Sequence, residues 1–381
     1  MTGFSRIPTA ALKGSIFMLL CAFSLTSCGG SATPLGGSGG SGTGFPDVAT
    51  KNTTRVAGED TANRAAAISL AVWPGADQRP ASVVLLPGDW QSALAAAPLA
   101  SPPFRAAFLM ANDGIPDATS EALDRLNPTG VVGAQNVKRI RIGEADDPGD
   151  ASRINADNPA ALADAIDQSR ANAGARLTDS VVVVGTSDSA WAMPAAAWAA
   201  RSGDPILYSD KDSLPEPTQA AIRRHGRPLI MLLAPESVVS KQVEAQLGAL
   251  GAVIRITAAK PSDASVAFAR FRDGDRGWGL NDPGHGYLFI NTGDEMNAAI
   301  AAPLSAAGSW AATLLTDSAD KLPSGVDQYL RDVQPGYRED PTRAVYNHGW
   351  LMGGTGSISQ TEQAHIDRLL EIVPANERLN P

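Results

Sequence analysis

One pattern constrains the fold of this chain more than any other: an apolar run, an acidic turn and an Ala-rich stretch recur three times at a spacing near 100 residues. The apolar runs are Ser82-Val83-Val84-Leu85-Leu86, Ser180-Val181-Val182-Val183-Val184 and Tyr287-Leu288-Phe289-Ile290. Short unbroken runs of this kind belong to parallel strands covered on both faces. The turns are Gly88-Asp89, Ser187-Asp188 and Gly293-Asp294, and the Ala-rich stretches predict helices over 93–100, 190–200 and 298–307. A second strand follows in each copy, Ala107-Phe108-Leu109-Met110, Pro205-Ile206-Leu207-Tyr208 and Ala312-Thr313-Leu314-Leu315. It leads to an acidic loop and then to a proline, at which a helix is predicted to start. From turn aspartate to that proline the chain counts 27, 27 and 29 residues, ending at Pro116, Pro215 and Pro323.

A third strand and helix close the later copies, with Leu229 to Leu233 before Val239-Ser240 and Trp350 to Met352 before Ile358-Ser359. Ser359 and Glu362 have the spacing of a capping box, and Ile366, Leu369, Leu370 and Val373 fall on one helical face. Strands alternating with helical crossovers imply an α/β fold, here three tandem open α/β units over 54–148, 149–260 and 261–374.

The chain begins with a leader. Arg6 and Lys13 precede an apolar core over 15–25, too short to remain as a membrane span. Leu25-Thr26-Ser27-Cys28 resembles the bacterial lipobox, which predicts a lipoprotein signal peptide over 1–27 and lipid, such as palmitate, on Cys28. The body would then be exported and anchored at the outer face of the cytoplasmic membrane. Loss of the leader removes Cys21 and leaves Cys28 alone, so no disulfide or Cys-ligated metal is expected. Residues 28–53 are rich in Gly and Ser, and the stretch 29–46 is a flexible tether reaching roughly 20–25 Å.

The body itself resembles the bacterial cell-wall-binding repeat 2 family. The resemblance rests on Arg55-Val56-Ala57-Gly58-Glu59-Asp60-Thr61-Ala62-Asn63-Arg64 and on Gly88-Asp89 with Ala96-Ala97-Pro98-Leu99. It rests also on Gly293-Asp294, Ala301-Ala302-Pro303-Leu304, Leu314-Leu315-Thr316-Asp317, Leu322-Pro323 and Gly353-Gly354-Thr355-Gly356-Ser357-Ile358-Ser359. The second copy departs from it, having Ala197-Trp198 in place of Pro-Leu. The resemblance implies three units about a pseudo-threefold axis and non-covalent attachment to an anionic, teichoic-acid-like wall polymer. It also implies a role in anchoring for an apolar strand triplet, here Ile206, Leu207 and Tyr208, then Thr313, Leu314 and Leu315, and more weakly Phe108-Leu109-Met110.

A net charge of -9 gives no overall field to attract nucleic acid, so a polyanion must be met locally. Arg55, Arg64, Arg139, Arg141, Arg223 and Arg224 are candidates for polymer phosphates, because guanidinium binds them bidentately. Gly353, Gly354 and Thr355, between a strand and a helix, have the form of a phosphate cradle or of a plain tight turn. Asp89, Asp188 and Asp294 are expected to cap helices rather than hold a divalent ion. Gly185-Thr186-Ser187-Asp188-Ser189 lacks the final glycine of a nucleophile elbow, and His225, His285, His348 and His365 have no metal-ligand spacing. A non-catalytic, cofactor-free surface protein is therefore expected. The alternative is a solute-binding lipoprotein of an import system, which would show two lobes and a hinge instead of three equal units.

Overall fold

The structure is a computed structural model, and it describes residues 48–74 and 77–378. The leader, Cys28 and the tether inferred above lie outside the described residues. The chain opens with β1 (Val48–Ala49), β2 (Thr53–Val56) and α1 (Thr61–Val72). The first unit follows as β3 (Ser82–Leu86), α2 (Trp90–Ala95), β4 (Ala106–Met110), α3 (Asp117–Leu126) and β5 (Arg139–Ile142). An arm of β6 (Ser152–Ile154) and α4 (Pro159–Asn172) leads to the second unit. That unit comprises β7 (Ser180–Gly185), α5 (Ser189–Ala192), α6 (Pro194–Ser202), β8 (Ile206–Ser209), α7 (Glu216–Arg224), β9 (Leu229–Leu233) and α8 (Lys241–Leu250). A second arm, β10 (Ala252–Arg255) and α9 (Pro261–Arg270), leads to the third. There the order is β11 (Gly286–Asn291), α10 (Met296–Ala307), β12 (Ala312–Thr316), α11 (Ser324–Asp332), β13 (Gly336–Tyr337), β14 (His348–Met352), α12 (Gln360–Leu369) and β15 (Val373–Pro374).

The three units carry matching parallel sheets, in the orders β4-β3-β5-β6, β8-β7-β9-β10 and β12-β11-β14-β2. In each, the first strand of the unit lies between its second and third, and the apolar runs Val83 to Leu86, Val181 to Val184 and Tyr287 to Ile290 are fully buried. Each edge strand belongs to the next arm in the chain. Thus β6 extends the first sheet while α4 lies on β8 and α7, and β10 extends the second while α9 lies on β12 and α11. The N-terminal β2 pairs with β14 of the last unit, Thr54 opposite Trp350, while α1 lies on β4 and α3 of the first. The exchange therefore closes into a ring of three units, with no division into two lobes about a hinge.

At the centre of the ring the Ala-rich segments meet: α2 with the 3-10 turn Ala97–Ala100, α6 and α10 pack on one another. Most of their alanines are buried, and the small side chains let the backbones approach closely. The predicted helix over 190–200 is broken at Met193 into α5 and α6. Pro116, Pro215 and Pro323 stand at the N-caps of α3, α7 and α11 rather than within the first turn, with extended backbone before each helix. Equivalence of the units extends to the backbone. Arg105, Gly203 and Trp310, two residues before the matched positions Ala107, Pro205 and Ala312, all have positive φ, at 38°, 80° and 52°.

Candidate functional site

The residues singled out for polymer contact are largely structural. Ile206, Leu207, Tyr208, Thr313, Leu314 and Leu315 are all buried, none more than 2% exposed. β4, β8 and β12 end their own sheets, but α10 covers β4, α2 lies on β8 and α6 covers β12. The triplets thus form the seam between units, and Tyr208 Oη donates across it to the Gln91 carbonyl at 2.6 Å. An anchoring role through direct polymer contact is corrected by that burial.

Arg55 is also buried, and its donors are used. Nη1 donates to the carbonyls of Gly353 and Gly354, both at 3.0 Å, and Nε to Gln363 Oε1. Arg153 and Arg255 repeat the arrangement from β6 and β10: Arg153 donates to the Gly143 carbonyl, and Arg255 to those of Ala234 and Val239. The three arginines fasten each exchanged strand to the loop of its neighbour. Gly353 and Gly354, which with Thr355 had the form of a phosphate cradle, are thereby turned toward Arg55, and the Gly353 N–H donates to the Val56 carbonyl. Asp294 stands beside the same loop and accepts from Ser357 Oγ, which is the wrong charge for an anion site.

Arg64 donates to Asn297 Oδ1, the Ala57 carbonyl and Thr61 Oγ1, joining α1 to α10. Arg139, Arg141, Arg223 and Arg224 face Asp150, Asp147, Glu216 and the pair Asp164 and Asp167. Asp89 and Asp188 cap α2 and α5 by accepting from Ser92 N and Ala190 N, whereas Asp294 caps no helix. His225 bonds to Asp167 and His365 to Asp327.

Parallel sheets give the ring two unlike ends. The loops leaving the strands carry Asp60, Asp89, Asp113, Asp146, Asp210, Glu295 and Asp317. The loops entering the strands carry Arg105, Lys138, Arg176, Arg227 and Arg276, with Arg201 beside them on the last turn of α6, interspersed with acids such as Asp179 and Asp275. The large apolar side chains Val132, Leu177, Trp310, Val345 and Tyr346 are exposed on these same entering loops. The acidity of the chain is thus concentrated away from that end, so a polyanion is repelled from one end and tolerated at the other.

At the tolerant end a cleft of about 850 Å³ opens where the three units meet, lined by Ser101 to Pro103, by 174–180 and 198–204 in part, and by Asp275 to Trp278. Its floor is built on Asp204, buried and accepting from Ser180 Oγ and Trp198 Nε1, each at 2.7 Å. Burial raises the Asp204 carboxyl above its ordinary range, against the hydrogen bonds that hold it down. Arg170, buried on α4, ties the second unit to the first through the Gly203 carbonyl and Ser101 Oγ. Trp198 meets Trp278 edge to face at 5.4 Å, and Arg201 lies 4.1 Å above the ring of Trp310. Sequence reasoning missed this site because its parts come from three units. The one signal was Trp198 itself, which stands where the other copies have Leu99 and Leu304.

No family model matches the chain, and no curated protein matches it. Among solved structures, the fold is similar to that of Cwp6 from Clostridium difficile, with a TM-score of 0.66 and 18% identity over 87% of this chain and 49% of that one. It is likewise similar to Cwp8 from Clostridium difficile, with a TM-score of 0.64 and 18% identity over 84% of this chain and 53% of that one. This chain spans about half the length of either. At this identity the likeness is one of fold.

Proposed function

We propose that the chain is a non-catalytic, lipid-anchored surface protein whose three units bind an anionic, teichoic-acid-like cell-wall polymer without covalent attachment. The observation that carries this reading is the closed three-unit α/β architecture, together with its likeness in fold to the cell wall proteins Cwp6 and Cwp8. The separation of charge supports it, since the end bearing exposed arginines and aromatics is the one a polyanion can approach. The lipid on Cys28 would hold the body within tether length of the membrane, facing the wall.

The test is sedimentation of the purified protein with native walls and with walls stripped of anionic polymer, at low and high salt. Binding to native walls that is lost on stripping, and weakened by salt, supports the reading. Failure to sediment with either, under conditions in which a known wall-binding repeat protein does, defeats it.

A further inference from the structure

We propose that the cleft between the three units is the polymer-binding site, and that it takes one acidic sugar unit, carrying a carboxylate or phosphate, against Trp278 with its charge on Arg201 and Arg176. The proposal rests on the wall-binding reading above and adds a place and a chemistry to it.

Four observations converge there. Arg201 and Arg176 have no carboxylate partner among the described residues, unlike Arg139, Arg141, Arg223 and Arg224. Arg276, at the same rim, is already shared between Asp179 and Asp273. Secondly, two buried N–H groups of the lining, Arg170 Nε and Trp278 Nε1, lack any hydrogen-bond partner. Buried donors are nearly always satisfied, so a pair of unsatisfied ones in the same cleft marks a place where a ligand supplies the acceptors. Sugar hydroxyls and acid oxygens are such acceptors.

Thirdly, aromatic and cationic groups alternate. Trp198, Trp278, Arg201 and Trp310 form a continuous series, with Arg201 6.0 Å from the Trp278 ring and 4.1 Å from that of Trp310. The apolar C–H face of a pyranose lies on an indole, while a guanidinium held beside it takes an acid group bidentately. Fourthly, Trp310 is 59% exposed, a large apolar ring left open to a partner. Its ring lies under the Arg201 guanidinium. Asp204 does not oppose an incoming anion directly, because Ser180 and Trp198 bind it. Asp179 and Asp275 remain at the rim, so the cleft takes one acid group of the polymer at a time.

The test uses the full-length protein and three variants, Arg201→Gln, Trp278→Phe and, at the acidic end, Lys321→Gln. The probes are native walls, glycan released from those walls by mild acid, and neutral dextran. Circular dichroism establishes that each variant is folded; Arg201 is exposed, so R201Q has no core to disturb. Expected results are saturable quenching of tryptophan emission by the released glycan and none by dextran. R201Q and W278F should each weaken glycan binding at least tenfold, with K321Q unchanged. Should the wild type sediment with native walls while R201Q and W278F sediment equally well, the cleft assignment falls and the wall-binding reading stands. Equal binding of dextran overturns the acidic-sugar specificity. A wild type that binds no wall at all overturns both.

Discussion

Arg55 shows how a charge can serve the fold alone. Its guanidinium is surrounded by carbonyl oxygens and Gln363, so replacement by alanine strands several buried acceptors at once. At about 1–3 kcal/mol for each unsatisfied group, and with some rescue by water, R55A should cost on the order of 3 kcal/mol, measured by urea denaturation. R55K should recover little, because one ammonium cannot span both glycine carbonyls and Gln363. His225 carries a different kind of control. Burial works against its charge, but hydrogen bonds to Asp167 and to the Thr178 carbonyl outweigh burial and raise it above the ordinary histidine range. A raised folded-state value means that the stabilisation is complete below about pH 6.5, the unfolded value, and is lost as pH rises through the folded one. Melting temperature should therefore fall between pH 6 and 8 relative to His225→Gln, whose profile should be flatter there; parallel profiles would refute the linkage. Residue identity in the sequence exposed these arginines and histidines but not their partners, since Arg55 and Gly353 lie 298 positions apart.

Among the elements, the Ala-rich helices are the most exacting. Ala196 on α6 and Ala301 on α10 are fully buried where the central helices converge. A196L or A301L should cost about 1–3 kcal/mol by overpacking, read as a lower urea midpoint with the slope unchanged. The apolar runs, the turn aspartates and the Ala-rich composition made these strands and helices legible, and the Ser359 cap accepts from Glu362 N as the capping box requires. The Glu362 side chain departs from that box, accepting instead from Leu322 N of the neighbouring loop. The exchanged strands were illegible for a physical reason. β2, β6 and β10 are only three or four residues long and each carries an arginine, Arg55, Arg153 or Arg255, so no local periodicity distinguishes them from loop. Burial of the triplet strands was hidden for the opposite reason: an apolar run does not say whether a ligand or a neighbouring helix covers it.

For the whole molecule, the unequal ends and the closed ring have separable consequences. Binding of an anionic polymer through two unpaired arginines should weaken as ionic strength rises from about 0.05 to 0.5 M, as screening shortens the reach of each charge. Salt-independent sedimentation would place the contact elsewhere. Removing residues 48–56 should strip β14 of its outer neighbour, leaving it paired with β11 alone, and expose an unpaired parallel edge. Hydrogen exchange at Gly349 to Met352 should then accelerate, while the second sheet, which draws no strand from the N-terminus, keeps its protection.

Ring closure also sets an order of events during synthesis. β2 emerges long before β14, the strand it pairs with, whether from the ribosome or from an export channel. The third sheet therefore has no complete state in a nascent chain, and its edge arginine, Arg55, must wait unsatisfied for Gly353 and Gly354 to arrive. Contacts so distant along the chain close slowly. Maturation is thus timed by β14 rather than β2: a chain stalled short of β14 has only β11 and β12 of its third sheet, and one carried past β14 gains the seal between β2 and β14.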